Sequence, residues 1–225
     1  MMSDLTTRKD SLLMRIAHVI TRMIVGGAQE NTLFTCEDLI RDHGDEVLLI
    51  TGPALGPEGD LLSQGRGDIV PQALIPNLRR AIHPVRDLSA YWNIKRQLRD
   101  FDPEVVHTHS AKGGLLGRVA AAALGIPAIV HTVHGAPFHD YQSRGARAFF
   151  CRCEKYAASR CHALISVADA MTEQLVIGCH KPCSLSNCRR GNHPVYRITR
   201  EIFQTRSSKG DCAACGQFNE SAIEQ

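Results

Sequence analysis

A chain of 225 residues with 44% hydrophobic and 22% charged residues has the composition of a folded soluble domain. No apolar run approaches the roughly 20 residues that span a bilayer, and residues 1–11 lack the apolar core of a secretory signal, so a cytoplasmic protein with a disordered segment at 1–12 is expected. The net charge of +3 lies wholly in the last stretch: residues 179–225 hold 7 Lys+Arg against 4 Asp+Glu, whereas 1–178 hold 19 of each.

Five of the nine cysteines also fall in that stretch, at Cys179, Cys183, Cys188, Cys212 and Cys215. The shift in composition predicts a boundary near Val176 to Gly178, with a folded domain over 13–178 and a disordered Cys/Arg-rich tail over 179–225. The neutral balance of 1–178, without aromatic residues interleaved on strands, argues against nucleic acid as a partner.

In chain order, Met14 to Thr21 (M-R-I-A-H-V-I-T) reads as a strand that is apolar on both faces. Gly26-Gly27 follows in a loop. Glu30 to His43 has helical spacing, with Leu33, Phe34, Cys36, Leu39 and Ile40 as core candidates. Gly44 ends that helix, and Glu46 to Thr51 is the next strand. Residues 52–67 are rich in Pro and Gly and read as a loop, with a turn near Asp60 to Gln64. Asp68 to Leu74 is a short edge strand, because Pro71 has no amide to donate to a central ladder. Leu88 to Phe101 places Leu88, Tyr91, Trp92, Ile94 and Leu98 at helical spacing among basic residues.

The segment Glu104 to Gly135 then reads as strand, helix, strand. Val105-Val106 runs into the polar cluster His107-Thr108-His109-Ser110, and Gly113-Gly114 marks a tight turn. Leu115 to Leu124 is a helix of small residues, closed by Gly125 and Pro127. Ala128 to Val133 is a strand leading into His134. Ala146 to Ser159 is a helix, Ala163 to Val167 a strand, and Ala168 to Val176 the start of another helix. Strands alternating with helices predict an α/β fold, a Rossmann-like and mainly parallel sheet with helices on both faces. In such sheets ligands bind at the carboxyl ends of the strands, and those ends carry His109 and His134.

Three features carry candidate chemistry. Gly26-Gly27, between a strand and a helix, either exposes amides to a diphosphate or serves only the turn. The pair is not G-x-G-x-x-G, and no acidic residue ends the second strand at Ile50-Thr51-Gly52, which disfavours a dinucleotide-dependent oxidoreductase. His109 and His134 can donate hydrogen bonds or exchange protons near neutral pH. A metal set of His107, His109, His131 and His134 is disfavoured, since alternate residues on a strand give only pairs and no carboxylate is interleaved. Arg79, Arg80, Arg86, Lys95, Arg96 and Arg99, with Tyr91 and Trp92, form a basic amphipathic surface that suits either solvent or an anionic membrane.

The segments M-R-I-A-H-V-I-T and G-G-A-Q-E-N-T-L, then D-P-E-V-V-H-T-H-S-A-K-G-G-L-L-G-R, then G-I-P-A-I-V-H-T-V-H-G, taken in order, resemble the N-terminal domain of family-4 glycosyltransferases of GT-B fold. The resemblance covers Met14 to Val176. It implies one half of a two-domain enzyme, in which this half binds the acceptor and the second binds most of a nucleotide-sugar donor. Gly26 and Gly27 would approach the donor diphosphate. His134 would be the catalytic-site residue, hydrogen-bonding the transferred sugar or the acceptor. His109 and Ser110 would line the acceptor pocket, with Lys112 pointing toward it. The family implies a retaining sugar transfer that needs no metal or cofactor, and glycan acceptors that are often lipid-linked at the inner membrane face, which suits the basic helix.

After Val176 the chain has 49 residues, with neither the family's phosphate-binding Arg/Lys pair nor its Glu-x7-Glu element. The expectation is an acceptor-binding half that binds nucleotide sugar weakly and is inactive alone because the donor domain is missing. A non-catalytic binding module, or a subunit partnering a separate donor domain, is the alternative. The tail itself reads as the product of an out-of-frame gene segment, or as a small zinc site built on Cys212-x-x-Cys215. Disulfides are not expected in the cytosol.

Overall fold

The computed structural model describes residues 13–135 and 142–167. Ile16 to Ile20 are all buried, so the first strand, β1 (Arg15–Ile20), must be covered on both faces. It pairs in parallel with β2 (Glu46–Thr51) on one side and with β4 (Val105–His109) on the other. The short β3 (Gln72–Leu74) extends the sheet beyond β2, while β5 (Ala128–Val133) and β6 (Ala163–Ser166) extend it beyond β4. The order is β3-β2-β1-β4-β5-β6, and every pairing is parallel. Chain progression across the sheet therefore reverses between β1 and β4, and the crevice at such a switch point is where α/β sheets take their ligands.

Helices cover both faces, as expected. Helix α1 (Gly27–His43) sets Leu33 and Cys36 against Ile20, Val47 and Leu49. On the opposite face, Ala90, Ile94 and Leu98 of α2 (Pro84–Phe101) and Ala120 and Ala121 of α3 (Ala111–Ala122) pack on Ala17, Val19, Ile50, Val106 and Ile129. Helix α4 (Arg144–Ala158) docks on α3 through a buried ion pair, with Arg118 Nη1 and Nη2 at 2.8 and 3.0 Å from the two carboxylate oxygens of Glu154.

Five strands match the expected segments closely and the edge strand expected over Asp68 to Leu74 shortens to Gln72–Leu74, but all four described helices begin earlier than periodicity indicates, α4 by two residues at Arg144. Helix α1 starts at Gly27 rather than Glu30. Helix α2 starts at Pro84, whose fixed φ suits a first turn, with the ring of His83 accepting from the Arg86 amide. Helix α3 starts at Ala111, so Gly113 and Gly114 lie inside its first turn and make no loop. Their role is close approach. A Cβ on Gly113 would lie 2.7 Å from the Thr21 amide nitrogen, one on Gly114 would run into the His131 ring, and one on Gly117 would lie 2.8 Å from Thr108 Cγ2. The expected disordered segment 1–12, the helix from Ala168, the boundary at 178 and the tail 179–225 lie outside the described residues.

Candidate functional site

Parallel register brings four histidines, from β1, β4 and the end of β5, into one row. His18 lies opposite His107 in the β1/β4 pairing, and His109 follows two residues on, so all three share a face of the sheet. His18 Nδ1 is 3.1 Å from His109 Nε2, and His109 Nδ1 is 3.2 Å from His134 Nε2, just past β5. The rings of His18 and His109 stack with centroids 5.4 Å apart, and those of His107 and His109 lie 4.2 Å apart. His107 Nε2 meets the Thr132 hydroxyl at 2.7 Å. The row leads from the buried His18, across the switch point, to the half-buried His134 at the carboxyl edge.

Burial dictates its charge state. Desolvation pushes His18 down to about 4. It holds His107 and His109 well below the ordinary imidazole range as well, with the neighbouring rings lowering them further. His134 is lowered for the same first reason. At neutral pH all four rings are therefore uncharged, each with one N–H and one bare nitrogen.

His131, in the strand that ends at this edge, belongs elsewhere. It points to the α3 face, where its Nδ1 lies 3.0 Å from both the carbonyl and the hydroxyl of Thr108 and its ring fills the space over Gly114. The four-histidine metal set considered from sequence is thus split between two faces. A different trio, His18, His107 and His109, brings its ligand nitrogens within 4.8 Å of one another. Such an all-imidazole set can hold a late transition ion, although an ion between His18 and His109 would have to replace the proton they share.

The loop after β1 is tied to the start of α3. Ser110 Oγ accepts from the Thr21 amide (3.1 Å) and pairs with the Thr21 hydroxyl (2.6 Å), which in turn accepts from the Gly113 amide (2.9 Å). Ser110 pays for this with a φ of 58°, a backbone region that costs a residue with a Cβ about 1–3 kcal/mol and is tolerated where the surroundings over-determine it. Its hydroxyl is thus engaged within the chain. Lys112 is engaged too, donating to the Ala81 carbonyl and to Asp87 Oδ1 at 2.8 Å, which ties α3 to the first turn of α2.

Gly26 and Gly27 open α1 at the same edge. Gly26 is extended, with φ 173°, and no side chain among the described residues caps the helix. Among the described residues, a Cβ on Gly27 would meet nothing within 4 Å, and one on Gly26 would meet only the flexible end of Gln29. Neither position needs a glycine for its conformation or for space among the described residues, so the turn alone does not account for the pair.

Of the residues singled out from sequence, the fold unites His109 with His134, sets Gly26-Gly27 at the same edge across β4, and ties Ser110 and Lys112 into the α3 entry. Sequence reasoning missed His18. Its signal was a lone imidazole inside I-A-H-V-I, since a polar group in a strand buried on both faces needs a partner.

A family model described as a glycosyl transferase 4-like domain matches residues 26–177. An Escherichia coli UDP-Gal:alpha-D-GlcNAc-diphosphoundecaprenol alpha-1,3-galactosyltransferase is 33% identical over 144 residues, spanning 64% of this chain and 36% of that enzyme. The chain thus spans about a third of the length of that curated relative. Among solved structures, the lipopolysaccharide outer core galactosyltransferase WaaB matches with a TM-score of 0.53 at 13% identity, covering 75% of this chain and 43% of the other. The UDP-GlcNAc 2-epimerase of Neisseria meningitidis matches at 0.53 and 13%, covering 73% and 43%. MurG of Acinetobacter baumannii matches at 0.50 and 15%, covering 70% and 42%. At these identities the structural likeness establishes the fold alone.

Proposed function

Because the chain belongs to the glycosyl transferase 4-like domain family, we propose that it forms the acceptor-side wall of a cleft in which a sugar passes from a nucleotide-sugar donor to a glycan acceptor. The observation that carries this reading is the Gly26-Gly27 start of α1. A helix N-terminus that no described side chain caps or covers suits an incoming diphosphate, because the orphan amides and the helix dipole both favour an anion. We assign His134, across β4 at the same sheet edge, to contact with the transferred sugar or the acceptor, a reading supported by the imidazole of His109 hydrogen-bonded behind it. Ser110 and Lys112 shape the acceptor side by anchoring the α3 entry. Transfer with retention, without a metal or other cofactor, is the chemistry assigned to the complete cleft.

The name of the Escherichia coli relative pairs a UDP-sugar with a diphosphoundecaprenol-linked acceptor. That is the class of donor and acceptor we assign here, with the protein working at the cytoplasmic face of a membrane. The outer face of α2 supports this placement: Val85, Leu88 and Trp92 are exposed there, and Lys95 Nζ lies 5.4 Å over the Trp92 ring. No helix among the described residues is long and apolar enough to cross a membrane.

The 225-residue chain by itself should bind donor weakly and not turn over, since catalysis requires the transition state to be held more tightly than the ground state from both sides of the cleft. Each charge-assisted contact that a ribose or base would otherwise gain is worth about 1.5–3 kcal/mol. Calorimetry with UDP-sugars is expected to show millimolar binding and no transfer. Micromolar affinity, or multiple turnovers by the purified chain, would overturn the half-cleft reading.

A further inference from the structure

The imidazole row has a direction. Two neutral rings that share a hydrogen bond must take opposite roles at the joined nitrogens. With the row running His18 Nδ1 to His109 Nε2 and His109 Nδ1 to His134 Nε2, only two arrangements of neutral rings satisfy both bonds. In the first, all three protons sit on Nδ1: His18 donates to His109, His109 donates to His134, and His134 keeps an Nδ1–H. In the second, all three sit on Nε2: His134 donates to His109, His109 donates to His18, and His18 keeps an Nε2–H.

The buried end decides between them. His18 is fully buried, and its Nε2 has no hydrogen-bond partner among the described residues. The second arrangement would leave an orphaned N–H at that atom, whereas the first leaves only a bare acceptor. Buried N–H groups without a partner are the rarer defect in native proteins. From this geometry we infer that His18 is a positioning residue that polarises the row toward the carboxyl edge, so that His134 meets its ligand with an Nδ1–H donor. A donor at that atom recognises an oxygen lone pair, from a sugar hydroxyl or a phosphate, and does not take a proton from an acceptor hydroxyl. The last step rests on the proposed ligand role of His134. The polarity of the row does not.

Long-range 1H–15N NMR on the full chain labelled at histidine, at neutral pH, reads the tautomers directly. His109 and His134 are expected with Nδ1 protonated and Nε2 in the bare, pyridine-like range. An Nε2–H tautomer on either ring would overturn the inference. The His18→Asn chain, which offers an amide N–H near the place of Nδ1, is expected to keep this pattern. The His18→Asp chain presents only an acceptor there and is expected to put a proton on His109 Nε2. An unchanged His109 Nε2 in that variant would overturn the role given to His18, and should the variant not fold, the wild-type and Asn spectra still decide the direction. Titration with UDP and with UDP-galactose separates the ligand sources: a His134 shift with both assigns a phosphate oxygen, and a shift with UDP-galactose alone assigns a sugar hydroxyl. If neither moves His134, the ligand reading fails while the tautomer result stands.

Discussion

Arg118 and Glu154 hold α3 and α4 together through two parallel hydrogen bonds, with the guanidinium completely buried and its Nε donating to the Gly114 carbonyl at 2.8 Å. The pair lies directly behind the turn of α3 that packs on His131. Removing one partner strands a buried charge, which costs about 3–5 kcal/mol. Glu154→Gln and Arg118→Met should each lower stability on that scale in urea unfolding. The joint replacement Arg118→Met with Glu154→Leu should recover most of the loss, because desolvation offsets much of the attraction of an intact buried pair. Single and double variants of equal stability would show that the pair is not the tie between the two helices.

The glycines divide into two groups with opposite expected behaviour. Gly113→Ala forces a methyl group into the backbone of Ile20 and Thr21 and should cost about 1–3 kcal/mol, as overpacking does. Gly27→Ala meets no described atom in a helical turn and should leave the fold unchanged or more stable by about 0.4–1 kcal/mol, through loss of unfolded-state entropy. The same Gly27→Ala change should weaken UDP-sugar binding. Unaltered binding would remove the diphosphate role from the glycine pair.

Acid should unfold this domain early. Unfolded histidines titrate near about 6.5, whereas His18 is pushed down to about 4 and His107, His109 and His131 are also held well below the ordinary value. The unfolded chain therefore binds more protons between these values. The stabilisation is complete above about pH 6.5 and is lost as pH falls toward the folded values. His18 alone would account for about 3 kcal/mol over that interval, because each tenfold difference in proton affinity is worth about 1.36 kcal/mol. Denaturation midpoints that stay flat from pH 7 to pH 5 would contradict the neutral, buried row.

On α2, Trp92 and Lys95 should carry membrane contact. Basic residues near an anionic surface contribute about 1 kcal/mol each, so Lys95→Ala should weaken sedimentation with phosphatidylglycerol vesicles several-fold, and added salt should do the same. Trp92→Ala should weaken it without altering thermal stability, since the ring is more than half exposed. Vesicle binding indifferent to both changes would leave the basic stripe as a solvated face.

Deleting residues 179–225 should leave the cooperative unfolding of the domain nearly unchanged. That stretch offers little apolar area, and stability follows apolar area removed from water at about 25 cal/mol per Å². A fall of several degrees in melting temperature, or stoichiometric zinc in the intact protein, would assign it a structural part.

Periodicity made most of the fold legible. The apolar runs at 14–21, 46–51, 128–133 and 163–167 are strands because alternation and β-branched content are local properties, and Gly125 closes its helix with the expected positive φ of 70°. The helix starts were less legible. Small and polar residues such as Gly27 and Ala111 carry no apolar period, and the entry of α3 is set by Thr21, nearly 90 residues earlier in the chain.

By itself the sequence determined the strand–helix alternation, the polar residues at the carboxyl ends of β4 and β5, and the glycine pair before α1, since each is written within a dozen neighbouring residues. Only the tertiary structure decided what those residues touch. The register of β1 against β4 joins His18 to His109 across 91 residues, that of β4 against β5 sends His131 to the other face with Thr108, and the packing of α3 on α2 gives Lys112 to Asp87. Side chains alternate faces along a strand, so a shift of one residue in that register would exchange every inward group for an outward one, and no local pattern encodes which register the packed helices select.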